Sequence, residues 1–208
     1  VTGAAILADY DGTLTPGDAH AALLRHIVRA RRWPLLLLLL GAPLIALLWP
    51  RCRFAAVWLI WWCATLGARG GDWRRWIKAV AARSPPLFAE AAALLEREGG
   101  RVWIVSASPR ALVRRRLHQQ WVGGSVARLI GSRMERRYGA IVPRHYCFGA
   151  AKRAALPPHA FALALSDSLS DLPLLALGEQ AWLINPSARQ LTKARRSLPA
   201  VAARTWSL

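Results

Sequence analysis

Ala4-Ala5-Ile6-Leu7-Ala8-Asp9-Tyr10-Asp11-Gly12-Thr13 decides how this chain is read. The first five residues form a short apolar run that is cut off by charge and a glycine. That is the pattern of a strand buried on both faces in a parallel sheet. Three further runs repeat it: Val102-Trp103-Ile104-Val105 before Ser106, Ala160 to Leu165 before Ser166-Asp167, and Ala181-Trp182-Leu183-Ile184 before Asn185-Pro186. Helical patterns separate the runs, over Pro86 to Glu98, Pro109 to Gln120 and Leu169 to Leu177. Apolar strands alternating with helices predict an α/β fold with a doubly wound parallel sheet. Ligands of such sheets sit beyond the carboxyl ends of the strands. Asp9, Ser106 and Asp167 fall at those ends.

The acidic residues are concentrated there. The chain has six aspartates, and four lie in Asp9-Tyr10-Asp11 and Asp167-Ser168-Leu169-Ser170-Asp171. The molecule as a whole is strongly basic, with a net charge of +18 and an excess of positive charge carried almost entirely by arginine. Lys78, Lys152 and Lys193 are its lysines. Carboxylates gathered in so cationic a chain point to a bound cation or a shared catalytic task. The basic surface favours polyanionic partners, whether nucleic acid, anionic lipid headgroups or phosphorylated substrates. A nucleic-acid module is disfavoured, because the basic residues do not interleave with aromatics on a recognisable nucleic-acid fold. The carboxylates would also repel phosphates without a metal.

Between the first two strands the character changes. Trp33 to Pro50 carries no charge and includes six consecutive leucines, Leu35 to Leu40; Phe54 to Ala68 is a second apolar stretch. Seven of the eleven tryptophans lie between Trp33 and Trp76. Arg25, Arg29, Arg31 and Arg32 precede the pair, and Arg69, Arg74, Arg75 and Lys78 follow it. A spanning helix needs roughly 20 apolar residues, and both stretches fall short. They read either as buried helices of a cap domain or as a helical hairpin dipping into one leaflet, with Trp at the interface and Arg near phosphates. Continuous leucine with no polar face favours the membrane. Arg51 and Arg53, between the stretches, are loop charges or contacts to lipid phosphate. Arg110, Arg114, Arg115 and Arg116 form a solvated helix face or a patch turned toward a headgroup.

The other residues say less. Cys52, Cys63 and Cys147 have no metal-ligand spacing and read as isolated reduced thiols. His20, His26, His118, His145 and His159 likewise show no ligand spacing. Asp9 and Asp11 interrupt the first apolar run, so it does not read as a signal peptide.

The chemistry of the strand-end residues is more definite. Asp9 can present a nucleophilic carboxylate, and Asp11, two residues on, points the same way with its carbonyl still available. Gly12 permits a tight turn, and Thr13 can donate to a phosphate oxygen. Ser106, Ala107 and Ser108 precede Pro109, a favoured first residue of a helix, so backbone N–H groups there can bind an anion. A simple helix cap is the plainer reading of Ser106. Lys152 follows Gly149 at a helix start and could neutralise a phosphoryl group, or be a surface lysine. Asp167 and Asp171 complete an oxygen-rich set suited to Mg2+.

These parts, in this order, resemble the haloacid dehalogenase-like phosphohydrolase superfamily over nearly the whole chain. Its first motif is matched by Asp9-Tyr10-Asp11-Gly12-Thr13-Leu14-Thr15, its second by the Ser106 turn, its third by Lys152, and its fourth by Ser166 to Asp171. The early insertion is similar to that of the phosphoserine phosphatase-like branch. The closest resemblance is to bacterial phosphatidylglycerophosphatase C-like proteins, through Ser106-Ala107-Ser108-Pro109, Cys147 to Lys152 and Ser166 to Leu175. Tyr10 departs from the pattern, where a smaller or more apolar residue often stands.

The resemblance implies a Rossmann-like catalytic core of residues 1–17 and 85–208, with residues 18–84 an all-helical, strongly apolar, membrane-associated cap. It implies a Mg2+-dependent phosphomonoesterase. Asp9 attacks phosphorus, Asp11 is the acid and then the base, and Thr13, Ser106, Ala107 and Lys152 hold the phosphate. The metal ligands are the Asp9 carboxylate, the Asp11 carbonyl and Asp167, with Asp171 a ligand or their support. The expected substrate is a lipid phosphate such as phosphatidylglycerophosphate, at the inner (cytoplasmic) membrane with the core on the cytoplasmic side. A small soluble phosphoester is the alternative.

Overall fold

The structure is a computed structural model that describes residues 5–157 and 161–208. The first residue of the expected first strand (Ala4), the first of the third (Ala160) and His159 lie outside the described residues. Strand β1 (Ile6–Ala8) is fully buried, as its uninterrupted apolar sequence requires. Helices α1 (Ala19–Arg31), α2 (Pro34–Leu48), α3 (Arg53–Thr65) and α4 (Asp72–Ala81) fill the stretch after it. The chain then forms α5 (Ala89–Glu98), β2 (Val102–Pro109) and α6 (Arg110–Gln120). A hairpin of β3 (Arg128–Arg137) and β4 (Ala140–His145) follows, then the single-turn α7 (Ala150–Ala154) and β5 (Phe161–Ser166). The C-terminal part comprises α8 (Leu172–Leu175), β6 (Gly178–Ile184), α9 (Ala188–Ser197) and β7 (Ala202–Arg204).

The strands form one sheet in the order β4-β3-β2-β1-β5-β6-β7. Every neighbouring pair is parallel except β3 with β4. β1 sits at the centre, with Leu7 in register with Trp103 on one side and Ala164 on the other. Apolar clusters cover both faces: Tyr10, Leu23, Ile104 and Leu112 belong to one, Leu7, Val105, Phe161 and Leu174 to the other. That double burial explains why the strands read as continuous rather than alternating runs. Because β1, β2 and β5 are parallel neighbours, Asp9, Ser106 to Ser108 and Asp167 leave the sheet along one edge. The predicted α/β parallel architecture is the one observed.

Some expected elements differ in detail. The helix read from Pro86 begins at Ala89; residues 84–88 form no regular element. The helix read over Leu169 to Leu177 is a 3-10 turn at Leu169–Asp171 followed by α8. The β3–β4 hairpin was not expected. Its one apolar run, Ala140-Ile141-Val142, is short and follows the arginine-rich β3, and its turn at Tyr138-Gly139 uses two left-handed residues.

The two apolar stretches have different fates. α3 buries Ala56, Val57, Trp61, Cys63 and Ala64 and is tied to the hairpin by polar contacts. Ile141 N donates to the Thr65 hydroxyl at 2.8 Å, Gly67 N to the Gly139 carbonyl at 2.8 Å, and Trp62 Nε1 to the Tyr138 carbonyl at 3.2 Å. α2 packs on α3, yet Pro34 is its one buried residue. Its outer face is bare hydrocarbon, with Leu36 65%, Leu39 62% and Leu40 80% exposed. At 15 residues α2 reaches about 22 Å, short of a bilayer core. No helix among the described residues is long and apolar enough to cross a membrane.

Candidate active site

Asp9 follows β1 directly and is held by its backbone N–H, which donates to the Leu165 carbonyl at 3.0 Å. Its side chain is buried against Lys152, whose Nζ lies 2.9 Å from Asp9 Oδ1 and 2.7 Å from Asp171 Oδ2. Lys152 is on α7, and Gly149 before it takes a positive φ of 55°, which favours glycine. Ser166 Oγ donates to the same Asp171 oxygen at 2.9 Å. Burial pushes the Asp9 carboxyl well up; the Lys152 charge opposes this, and the other aspartates add to it. Burial alone would lower the Lys152 ammonium, but Asp9 and Asp171 outweigh it and raise it. The site therefore keeps one fixed cation among several buried carboxyl groups.

Asp11 is positioned separately. Its Oδ2 accepts from Ser108 Oγ at 2.6 Å and Ser106 Oγ at 3.1 Å, and its Oδ1 from Ala19 N at 2.7 Å. The β2 turn and the first residue of α1 thus grip one carboxyl group. Burial raises its pKa, with the Ser108 hydrogen bond acting against that. Ser106 Oγ also accepts from Ser108 N at 2.9 Å. Its hydroxyl is accordingly committed to Asp11, and Ala107 and Ser108 are the members of this turn that line the cavity.

Thr13 differs from the sequence expectation in the same way. Its buried hydroxyl donates to Asp167 Oδ1 at 3.0 Å and accepts from Asp167 N at 2.9 Å, so it orients Asp167 instead of reaching for a phosphate oxygen. Burial raises the Asp167 carboxyl, against the Thr13 hydrogen bond.

These residues meet in a cavity of about 390 Å³. Asp9, Asp11, Lys152, Asp167 and Asp171 line its floor; Ser106 and Thr13 stand behind them. The helical segment supplies the opposite wall through His20, Trp49, Arg53 and Val57. Arg53 stacks over Trp49 at 4.5 Å and over Phe148 at 4.3 Å, bridging the helices to the loop after β4. His20 Nε2 accepts from Trp61 Nε1 at 3.1 Å, and burial lowers its pKa, so it is a neutral wall residue. His20, Trp49 and Phe148 carried no motif signal. Only long-range packing brings them here. A larger cavity of about 640 Å³, at Arg110, Arg128 and Arg144, holds no carboxylate and none of these groups.

The donor set suits Mg2+. Asp171 Oδ1 is buried with no hydrogen-bond partner, an arrangement that favours a cation nearby. No cluster of three or more His, Cys, Asp or Glu side chains among the described residues forms a ready-made cage. A site that uses two carboxylates, from Asp9 and Asp167, with the Asp11 backbone carbonyl needs no such cage. All are hard oxygens, which Mg2+ prefers together with water and phosphate ligands.

Solved structures share this architecture. The chain is similar to a protein of unknown function from Bordetella pertussis Tohama I, at 20% identity over 92% of this chain and 95% of that one, with a TM-score of 0.65. It is similar to a phosphoserine phosphatase carrying a phospho-aspartyl intermediate analogue, at 13% identity over 98% and 94%, TM-score 0.60. A phosphoserine phosphohydrolase-like protein from Francisella tularensis subsp. tularensis SCHU S4 aligns at 13% identity over 96% and 95%, also with a TM-score of 0.60. At these identities the likeness is one of fold. No curated protein matches the sequence significantly. The model of the haloacid dehalogenase-like hydrolases matches residues 6–176, from β1 through the Asp167–Asp171 turn. The chain belongs to the haloacid dehalogenase-like hydrolase family.

Proposed function

We propose that this hydrolase is a Mg2+-dependent phosphomonoesterase that forms an aspartyl-phosphate and acts on a membrane lipid phosphate such as phosphatidylglycerophosphate. The chemistry rests on the buried Asp9–Lys152 pair beside the separately held Asp11. An Asp9 carboxylate oxygen attacks phosphorus, and the bond from phosphorus to the ester oxygen breaks. Asp11, raised by burial, gives its proton to the departing alkoxide. Asp11 then takes a proton from the water that attacks the aspartyl-phosphate, releasing phosphate and restoring Asp9. Lys152 offsets the charge shared by nucleophile and phosphoryl oxygens, and Ala107 and Ser108, at the end of β2, line the cavity beside them. When bound, Mg2+ supplies further charge neutralisation at the phosphoryl group.

The observation that carries the lipid reading is the bare apolar face of α2, whose C-terminal end leads into Trp49 on the cavity wall. So much contiguous exposed hydrocarbon marks a docking surface for a membrane or partner. Arg51 and Arg53 follow it at the depth of lipid phosphates. A lipid held there keeps its acyl chains on the bilayer side while its headgroup reaches Asp9. The protein would work at the inner (cytoplasmic) membrane with the core in the cytoplasm, and residues 18–84 would act as the membrane-associated cap. A second reading, a small soluble phosphoester, is favoured by the modest cavity and by the phosphoserine phosphatases among the neighbours.

The deciding experiment measures phosphate release with Mg2+ from phosphatidylglycerophosphate, phosphatidate and phosphoserine by detergent-solubilised protein. Selective turnover of phosphatidylglycerophosphate, lost in Asp9→Asn, supports the first reading. Turnover of phosphoserine alone supports the second, and no Asp9-dependent turnover of any phosphoester overturns both.

A further inference from the structure

α1 separates two cavities. His20, Ala21 and Leu24 face the catalytic one, while Ala22, Arg25, His26 and Arg29 face another of about 450 Å³. α4 and the turn after it contribute Val80 and Arg83 to the second cavity, and α6 contributes Arg116. Four arginines and a histidine therefore line this space, and no carboxylate does.

Arg116 distinguishes it from an ordinary basic surface. Its side chain is inside the protein, only 3% exposed, and its Nε is buried with no hydrogen-bond partner. No ion pair among the described residues engages Arg116, Arg25, Arg29 or Arg83. The guanidinium lies beside the Tyr10 hydroxyl, a neutral group that itself donates to Gln120 Oε1 at 2.7 Å. Asp11 feels the Arg116 charge, but no carboxylate pairs with it directly, and a buried guanidinium with an unsatisfied donor is unfavourable. An anion in the cavity, which Arg116 lines, would supply the missing paired charge. The arginines of the larger 640 Å³ cavity, by contrast, are all solvent-exposed and carry no such deficit.

We propose that the cavity between α1, α4 and α6 is a second anion site, separate from the catalytic centre, that takes a phosphate group held by Arg25, Arg29, Arg83 and Arg116. Guanidinium groups suit phosphate because they donate in a planar fork. The phosphate comes from a lipid headgroup or from free phosphate in solution. His26 is consistent with the vacancy of negative charge: burial, and then the Arg83 charge, lower its pKa.

The test uses full-length Asp9→Asn protein in EDTA, so that no turnover occurs and the metal-free catalytic carboxylates repel phosphate. Inorganic phosphate is titrated calorimetrically at constant ionic strength. Capture by phosphatidylcholine vesicles is measured with and without phosphatidate. Arg25→Ala/Arg83→Ala alters two exposed positions and avoids the folding risk of removing Arg116. Arg195→Ala/Arg196→Ala on α9 removes the same charge elsewhere. The site predicts that the first pair weakens binding by about tenfold or more and the second does not. A loss confined to inorganic phosphate assigns the site to the free anion, and a loss confined to phosphatidate-dependent capture assigns it to a headgroup. No loss in Arg25→Ala/Arg83→Ala, or an equal loss in both pairs, overturns the proposal.

Discussion

Gly12 and Asp167 occupy one another's space: a β-carbon on residue 12 would stand 2.2 Å from Asp167 Oδ2. Gly12 also has a φ of +76°, in the left-handed region. The turn after Asp9 is thereby closed down until the Asp167 carboxylate rests against Gly12 and the Thr13 hydroxyl.

Gly12→Ala should therefore injure the site more than the fold. The backbone alone costs about 1–2 kcal/mol. The larger effect is displacement of Asp167, for which a shift of about 1 Å lowers kcat/KM on the order of 100-fold. The Mg2+ concentration at half-maximal activity should rise with it. A variant with normal Mg2+ dependence would show that Asp167 does not help to hold the ion.

Lys152→Met should expose the charge balance of the floor. It leaves Asp9 and Asp171 buried without their cation, costing about 3–5 kcal/mol where both are ionised. Burial already raises Asp9, and loss of the opposing Lys152 charge raises it further. Above its folded pKa the charge penalty is fully present. As pH falls through that value the folded state takes up protons that the unfolded state, near its ordinary value of about 3.9, does not. The Lys152→Met protein in EDTA should thus gain stability relative to wild type as pH falls through the raised Asp9 pKa. A stability gap that is constant with pH, measured by urea denaturation, counts against this account.

Asp9→Asn should abolish turnover, by about 10⁴-fold or more, and with it any acid-stable phosphorylated protein. Lys152 retains Asp171 in this variant, so the melting temperature should stay close to wild type. Trapping of labelled phosphate on Asp9→Asn protein would assign the nucleophile elsewhere.

The meeting of the strand-end aspartates with Ser106 was legible because the sheet that carries them is coded by short, continuous apolar runs; Lys152 was legible only from the helix start after Gly149. Ligating and catalytic groups in such sheets fall where those runs stop. The duties of Thr13 and Ser106 were not legible, since a hydroxyl beside an aspartate reads the same whether it faces phosphate or holds that aspartate. The upper wall was equally hidden. Trp49 and Phe148 are 99 residues apart and meet only through Arg53, stacked on both. The two apolar stretches look alike in composition, but only α3 has the Thr65 and Trp62 hydrogen bonds that dock it on the β3–β4 hairpin. That hairpin's apolar run, Ala140-Ile141-Val142, is too short beside its arginines to announce a strand, so the contrast between a docked α3 and a bare α2 could not be read in advance.

The bare helix yields the last prediction. Leu36, Leu39, Leu40 and Leu44 are each at least half exposed, so changing them together to serine removes little packing. Stability in detergent should move by no more than about 1–2 kcal/mol, chiefly through helix propensity. If the face docks on lipid, each leucine contributes on the order of 1 kcal/mol to partitioning, and four substitutions lower vesicle binding by on the order of 100-fold or more. Hydrolysis of a small artificial phosphoester should be unaffected, because none of the four lines the catalytic cavity. Sedimentation with anionic vesicles, run beside that assay, separates the outcomes. Undiminished sedimentation of a folded, active variant would mean that the leucines of α2 do not anchor the protein, and the lipid reading would lose the observation that carries it.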